Sequence, residues 1–275
     1  MSDDWKWPNY RRPPVVEVVA SAFFQELPPE AIAHLSSFWS AEASETYPNL
    51  SLQPPYQTQI ERFGAEAKHP RFEFHIGRPV DMPRLWFQSS TNEQLLQVQA
   101  NWFACNWRKV APEDRYGRWP SRRAEFEQWF GRLQRYLAAR GMEPLQVHQC
   151  EVTYVNHVPR GKTWSTHGEL HKVLNYVQES QLPSGLASEQ AGLTQQFLAS
   201  GPDGPSGRLR LSAQPAYRAD DEPIWVLEFT ARVLVREDRD VLMSLDEGRR
   251  WIVQAFHHFT TDEIRAEWGE FYDSE

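Results

Sequence analysis

The sequence predicts an α+β fold: antiparallel sheets packed against long aromatic-rich helices, arranged as two similar α+β halves. Three observations carry this. Strand-like segments come in consecutive runs separated by short turns, which favours antiparallel pairing with helices on one face. Each run is followed by a long amphipathic stretch rich in Trp and Phe. The 275 residues are 40% hydrophobic and 13% aromatic, with 12 tryptophans, enough to build a large core from side chains of high buried area. The division runs as an extended N-terminal arm at 1–14, one half at 15–160 and another at 161–275, either separate or joined in one continuous domain.

Taken in order, the arm is rich in proline and arginine. VVEVVASAFF, Val15–Phe24, is dense in β-branched residues and reads as a strand. After Pro28, PEAIAHLSSFWSAEA spaces Ile32, Leu35, Phe38 and Trp39 as a helix does, and Pro29 suits its first turn. Strand candidates follow at Tyr56–Phe63, Arg71–Ile76 and Arg84–Ser90, bounded by proline or glycine. STNEQ marks a turn into LLQVQANWFACNWRKV, Leu95–Val110, which is expected to pair back on Arg84–Ser90. Its alternation sends Leu96, Val98, Ala100 and Trp102 to the core and Gln97, Gln99 and Asn101 to the other face.

WPSRRAEFEQWFGRLQRYLAARG is the clearest helix, with Ser121 as its cap, Gly141 as its stop, and Phe126, Trp129, Phe130, Leu133, Tyr136 and Leu137 on one stripe. Pro144–Val158 returns as a strand, and STHGELHKVLNYV reads as a short helix. Three strands follow, AGLTQQFLA, GRLRLSAQPAYR and PIWVLEFTARVLV, the first two joined by the turn signal SGPDGPSG. A last helix places Leu245, Trp251, Ile252, Phe256 and Phe259 at helical spacing, and TTDE opens a further short one.

Charge and motif content narrow the function. The net charge of −8, from 29 basic and 37 acidic side chains, argues against a generic nucleic-acid binder. The N-terminus lacks the apolar core of a secretion signal, and no apolar run approaches the ~20 residues that span a membrane. Cys105 and Cys150 lie in different strands without CxxC spacing and read as packing thiols of a reduced cytoplasmic protein. There is no glycine-rich phosphate loop, GxSxG elbow, HExxH or paired CxxC, so neither cofactor nor metal is expected. HGELH sets His167 and His171 four residues apart, but polar neighbours and the lack of a fixed third ligand favour a surface loop over zinc.

Several phrases occur together: RRPPVVEVVASAFF, LLQVQANWFACNWR, CEVTYVNHV and a C-terminal helix ending FHHFTTDEIRAEWG. In that order, over nearly the whole chain, the sequence resembles a sporadically distributed family of uncharacterised bacterial proteins. In that family a histidine follows an Asp in the last long helix; here Arg249, after Asp246, stands at that place. The resemblance implies accessory genes of defence islands or mobile elements and implies no particular chemistry.

Three constellations remain. Gln57, Gln59 and Glu61 share one face of their expected strand, as Gln97, Gln99 and Asn101 share theirs. If the two strands are neighbours, they form a polar surface edged by Trp102, Trp107 and Arg108. Amides both donate and accept, which suits a small polar ligand, a peptide backbone or bases, with mutual pairing of the amides as the structural alternative. In CEVTYVNHV, Glu151, Thr153 and His157 share a face opposite Cys150, Val152 and Tyr154, a row that suits a polar ligand or acid–base chemistry by Glu151 and His157. Arg108, Lys109, Arg115, Arg118, Arg122 and Arg123 gather around Trp107, Tyr116 and Trp119, a combination that stacks bases and neutralises phosphates. The first expectation is a non-catalytic binding module for a protein partner or small polar ligand. An enzyme on a nucleotide or phosphate-bearing substrate comes second, and a nucleic-acid contact protein third.

Overall fold

Val15–Phe24 forms strand β2, and its β-branched run lies at the centre of a nine-stranded antiparallel sheet. The computed structural model describes residues 8–63, 83–179, 181–202, 204–236 and 240–272. The other strands are β3 (Asn49–Gln53), β4 (Arg84–Gln88), β5 (Gln94–Gln99), β6 (Trp102–Arg108), β7 (Val147–Pro159), β8 (Leu193–Gly201), β9 (Gly204–Tyr217) and β10 (Pro223–Leu234). Their order across the sheet is β3-β4-β5-β6-β2-β7-β10-β9-β8. A second, two-stranded sheet pairs β1 (Pro8–Tyr10) with β11 (Glu270–Tyr272). The α+β class therefore holds, with strand predominating over helix.

Local chemistry explains most boundaries. Helix α1 (Pro29–Phe38) takes Pro29 in its first turn, where a missing N–H costs no bond. Helix α2 (Arg118–Ala138) buries Phe126, Trp129, Phe130, Leu133, Tyr136 and Leu137, the expected stripe. Helix α3 (Val241–Phe259) is capped by Asp240, whose carboxylate accepts the Met243 N–H at 2.7 Å. Thr261 caps α4 (Asp262–Trp268), as TTDE suggests, and Gly269 at φ +71° ends it. The β4–β5 turn uses Asn92 at φ +60°, a conformation asparagine tolerates better than most.

One face of the sheet packs against the helices. Leu96 and Val98 of β5, Phe103 and Cys105 of β6, Ala20 and Ala22 of β2, and Val152 and Tyr154 of β7 join the α1, α2 and α3 side chains in one core cluster. Both thiols are buried and unpaired, and burial raises their pKa values, so they are poor nucleophiles. Asp246 joins the long helices: it accepts from Trp119 Nε1 at 2.6 Å and Arg123 Nε at 2.9 Å. Arg249 reaches the Tyr154 hydroxyl, which lies 2.7 Å from that of Tyr116.

Six expectations are corrected. LLQVQANWFACNWRKV is itself a hairpin, turning at Ala100–Asn101, with Gln97 opposite Ala104 and Gln99 opposite Trp102. The turn resets the alternation, so Trp102 leaves the helix-covered face and joins Phe23, Ala104, Val19 and Tyr56 on the other. Trp107 does the reverse and lies in the main core. Ser121 sits inside α2, whose N-cap position is Gly117, without a side-chain cap. STHGELHKVLNYV holds only a 3-10 turn, Leu170–Lys172. Tyr56–Phe63 forms no strand. The Arg71–Ile76 candidate lies outside the described residues.

Candidate functional site: an amide-lined sheet face

The face of the sheet away from the helices is polar, and its register is fixed by pairing. Trp86 and Gln97, Gln99 and Trp102, Phe23 and Gln149, Glu151 and Arg232, and Arg232 and Arg208 stand side by side on successive strands. Across this face runs Pro54–Phe63, the segment that follows β3.

Two glutamines grip its backbone. Gln99 accepts the Tyr56 N–H at 2.7 Å through Oε1 and donates to the Tyr56 carbonyl at 3.1 Å through Nε2. Gln149, fully buried, accepts the Glu61 N–H at 2.9 Å and donates to the Gln59 carbonyl at 2.9 Å. Asn101 adds a donor to Thr58 Oγ1 at 3.3 Å and accepts from Gln99 at 3.0 Å.

The direction of crossing explains the amides. The clamps stand on β5 and β7, with β6 and β2 between them, which is about 14 Å at ~4.8 Å per strand. Tyr56 to Glu61 reaches about 17 Å when stretched. The segment is therefore nearly extended and lies athwart the strands. The sheet's own N–H and C=O groups lie in its plane and bond to neighbouring strands, so a chain crossing above meets only side chains. A primary amide offers one donor and one acceptor on the same side and replaces the missing ladder. A charged side chain would satisfy only one of the two.

Side chains anchor the segment at both ends. Tyr56 stacks on Trp102 with ring centroids 4.7 Å apart, and Arg84 lies 6.0 Å from the Tyr56 ring. Burial raises the tyrosine's pKa and keeps its hydroxyl protonated. At the other end Glu61 is almost covered, at 7% side-chain exposure, between Arg208 and Arg232. Arg232 Nη1 lies 3.2 Å from Glu61, and its Nε binds Glu151 at 2.5 Å. Arg208 donates to the Arg62 carbonyl at 3.3 Å and lies 4.9 Å from the Phe63 ring centroid.

The nominated residues divide accordingly. Gln99 and Asn101 hold the segment. Gln97 instead ties the sheet, donating to Asn106 at 2.7 Å, which donates to Glu17 at 2.8 Å. Gln57 and Gln59 meet this face through their segment's backbone, while their side chains are exposed. Thr153 pairs with Thr230 at 3.0 Å.

Glu151 and His157 share a face but lie six residues apart on one strand, about 20 Å at ~3.3 Å per residue. They do not converge. Glu151 is bound by Arg232, and burial raises its pKa. Burial and the Arg218 charge lower that of His157.

The basic candidates are split between layers. Arg108 donates to the Asn92 carbonyl and lies 6.0 Å from Trp86 on the polar face. Arg122 pairs with Glu125 at 2.5 Å and Arg123 with Asp246, both on the helical layer. Lys109, Arg115 and Arg118 are exposed. Trp107 and Trp119, expected to stack with them, are buried.

His167 is buried against Trp164, its Nε2 3.0 Å from the Ile224 carbonyl oxygen. No cluster of metal-ligating side chains occurs among the described residues, nor does any helix there reach the length and apolarity that cross a membrane. A cleft of about 960 Å³ opens beside Arg12, Lys162, His171, Lys172 and Glu267, away from the amide face.

Gln149, Arg208 and Arg232 were not nominated from the sequence. Their signal was present: arginine and glutamine alternating into otherwise apolar strands, where an isolated buried polar group is costly unless partnered. No family model, curated protein or solved structure matches this chain.

Proposed function

We propose that this protein is a non-catalytic interaction module that holds extended polypeptide across the polar face of its sheet. The observation that carries the reading is the pair of amide clamps. Gln99 and Gln149 each engage an N–H and a carbonyl of one crossing strand, contacts that recognise backbone irrespective of sequence. The resident segment Pro54–Phe63 occupies the face in cis, and a partner segment takes its place when it lifts. The family resemblance puts such a module in a bacterial accessory setting, of the defence or mobile-element kind.

The sheet order supports two related halves. β2 is followed by the run β3 to β6, which works inward until β6 pairs with β2. β7 is followed by β8 to β10, which works inward until β10 pairs with β7. Each run then leads into a long helix. On this reading the division falls ahead of β7 rather than at residue 160, and the crossing segment bridges both halves.

The test is a labelled peptide PPYQTQIERF added to the full-length Tyr56→Ala/Glu61→Ala variant, whose own segment has lost both side-chain anchors. Anisotropy should show saturable binding. The unsubstituted chain should bind far more weakly, because its own segment competes at an effective concentration in the millimolar range. Adding Gln149→Leu to the opened variant should weaken binding about tenfold or more, the loss of ~1.4 kcal/mol from two hydrogen bonds. Absence of binding at millimolar peptide refutes the reading.

A further inference from the structure

We infer that the face selects its ligand by side chain as well as backbone, reading an aromatic residue and, five positions toward the C-terminus, a carboxylate. This rests on the peptide-binding reading above and adds the class of peptide. The resident segment shows the chemistry at each position. Tyr56 lies on a shelf made by Trp102, with Phe23 and Val19 completing the apolar patch. Glu61 fills a socket whose walls are Arg208 and Arg232. Phe63, two positions further, covers the Arg208 guanidinium.

Charge decides the socket's preference. With Glu61 present the group holds two carboxylates, Glu61 and Glu151, against two guanidiniums, Arg208 and Arg232. Without Glu61 it holds one carboxylate against two guanidiniums; with the segment in place the Arg232 side chain is 11% exposed, so the acid meets it in a largely covered site. An incoming acid restores the balance; an amide of the same shape does not. Guanidinium–carboxylate contacts in such partly dry places are stronger than exposed ion pairs.

Register makes the reading specific. The amide clamps fix which residue enters the socket, because Gln149 binds the N–H of the acidic residue itself and Gln99 binds both backbone groups of the aromatic one. A ligand with the acid one place earlier or later would turn that side chain away from the arginines. The occupant is thus a segment of a partner protein with the pattern aromatic–x–x–x–x–acidic, presented extended.

The experiment uses the full-length Tyr56→Ala/Glu61→Ala variant and labelled peptides based on PPYQTQIERF. Replacing the peptide's glutamate by glutamine, its tyrosine by alanine, or moving the glutamate one position should each weaken binding at least tenfold. Adding Arg208→Glu to the protein should abolish the preference for glutamate and favour a peptide with lysine there. Arg208 is partly exposed on β9, the strand next to the sheet edge, and a melting midpoint close to the parent's checks that this variant keeps its fold. Equal binding of all peptides overturns the side-chain code while leaving backbone binding intact. Binding of none overturns both. If the mass of the unsubstituted protein in light scattering rises with concentration to that of a dimer, and Tyr56→Ala/Glu61→Ala abolishes that rise while Thr194→Lys does not, the occupant is the same segment of a second copy, and the partner assignment is wrong.

Discussion

At the residue scale, what a side chain can hydrogen-bond decides its place more than its hydrophobicity does. Gln149 is fully buried in a strand, yet both of its polar atoms are used. Glu169 shows the same economy on the surface. It accepts from Lys172 Nζ at 2.5 Å, from the Ser165 N–H at 2.7 Å and hydroxyl at 2.9 Å, and from the Thr166 N–H at 3.2 Å. The Lys172 ammonium and the backbone donors hold its pKa down to about 2, from 4.5 in an unstructured chain. The folded form therefore binds fewer protons than the unfolded form between those values, and stability rises with pH across that window. Glu169→Gln should be less stable than the parent above pH 4.5, with the difference fading as pH falls toward 2. Urea titrations at stepped pH check this; a difference that is constant with pH would refute it. The sequence disclosed which residues were polar on a polar face, but not their partners. Gln97 and Gln99 look identical there, yet one ties strands together and the other holds a crossing chain.

At the element scale, strands and helices with strong periodicity were legible. β2 and the buried stripe of α2 appear where alternation and helical spacing put them. Tyr56–Phe63 misled because a chain lying on a surface also sends some side chains down and others up without joining a ladder; here the alternation breaks at Gln59–Ile60, so that Tyr56 and Glu61 both face the sheet. The β5–β6 turn was hidden because Ala100–Asn101 carries neither glycine nor proline. Helix α3 crosses the sheet at Gly248, where an added Cβ would lie 3.3 Å from Val233, 3.4 Å from Ala231 and 3.5 Å from Val152. Glycine thus sets how closely helix and sheet approach. Gly248→Leu should cost about 1–3 kcal/mol or more by overpacking, measured by chemical denaturation; an unchanged midpoint would show that the helix moves aside freely.

At the scale of the whole molecule, one sheet runs from β3 to β8, and its edge strands differ in length, five residues against nine. The outer strand β8, LTQQFLASG, carries neither charge nor proline and exposes Leu198. Charged or proline-bearing edges resist edge-to-edge pairing, and this one has neither guard. Thr194→Lys, at an exposed position of β8, should reduce concentration-dependent association in light scattering without changing the melting midpoint. Equal association by both proteins would place the contact elsewhere. The stacking of Tyr56 on Trp102 has an optical consequence. Trp102 is buried at 3% exposure, covered in part by the segment it helps to hold. Lifting that segment wets the indole and should move its emission to the red. Substituting Trp102 by phenylalanine separates this signal from those of the other tryptophans, so occupancy of the face can be followed in the unlabelled protein by its own light.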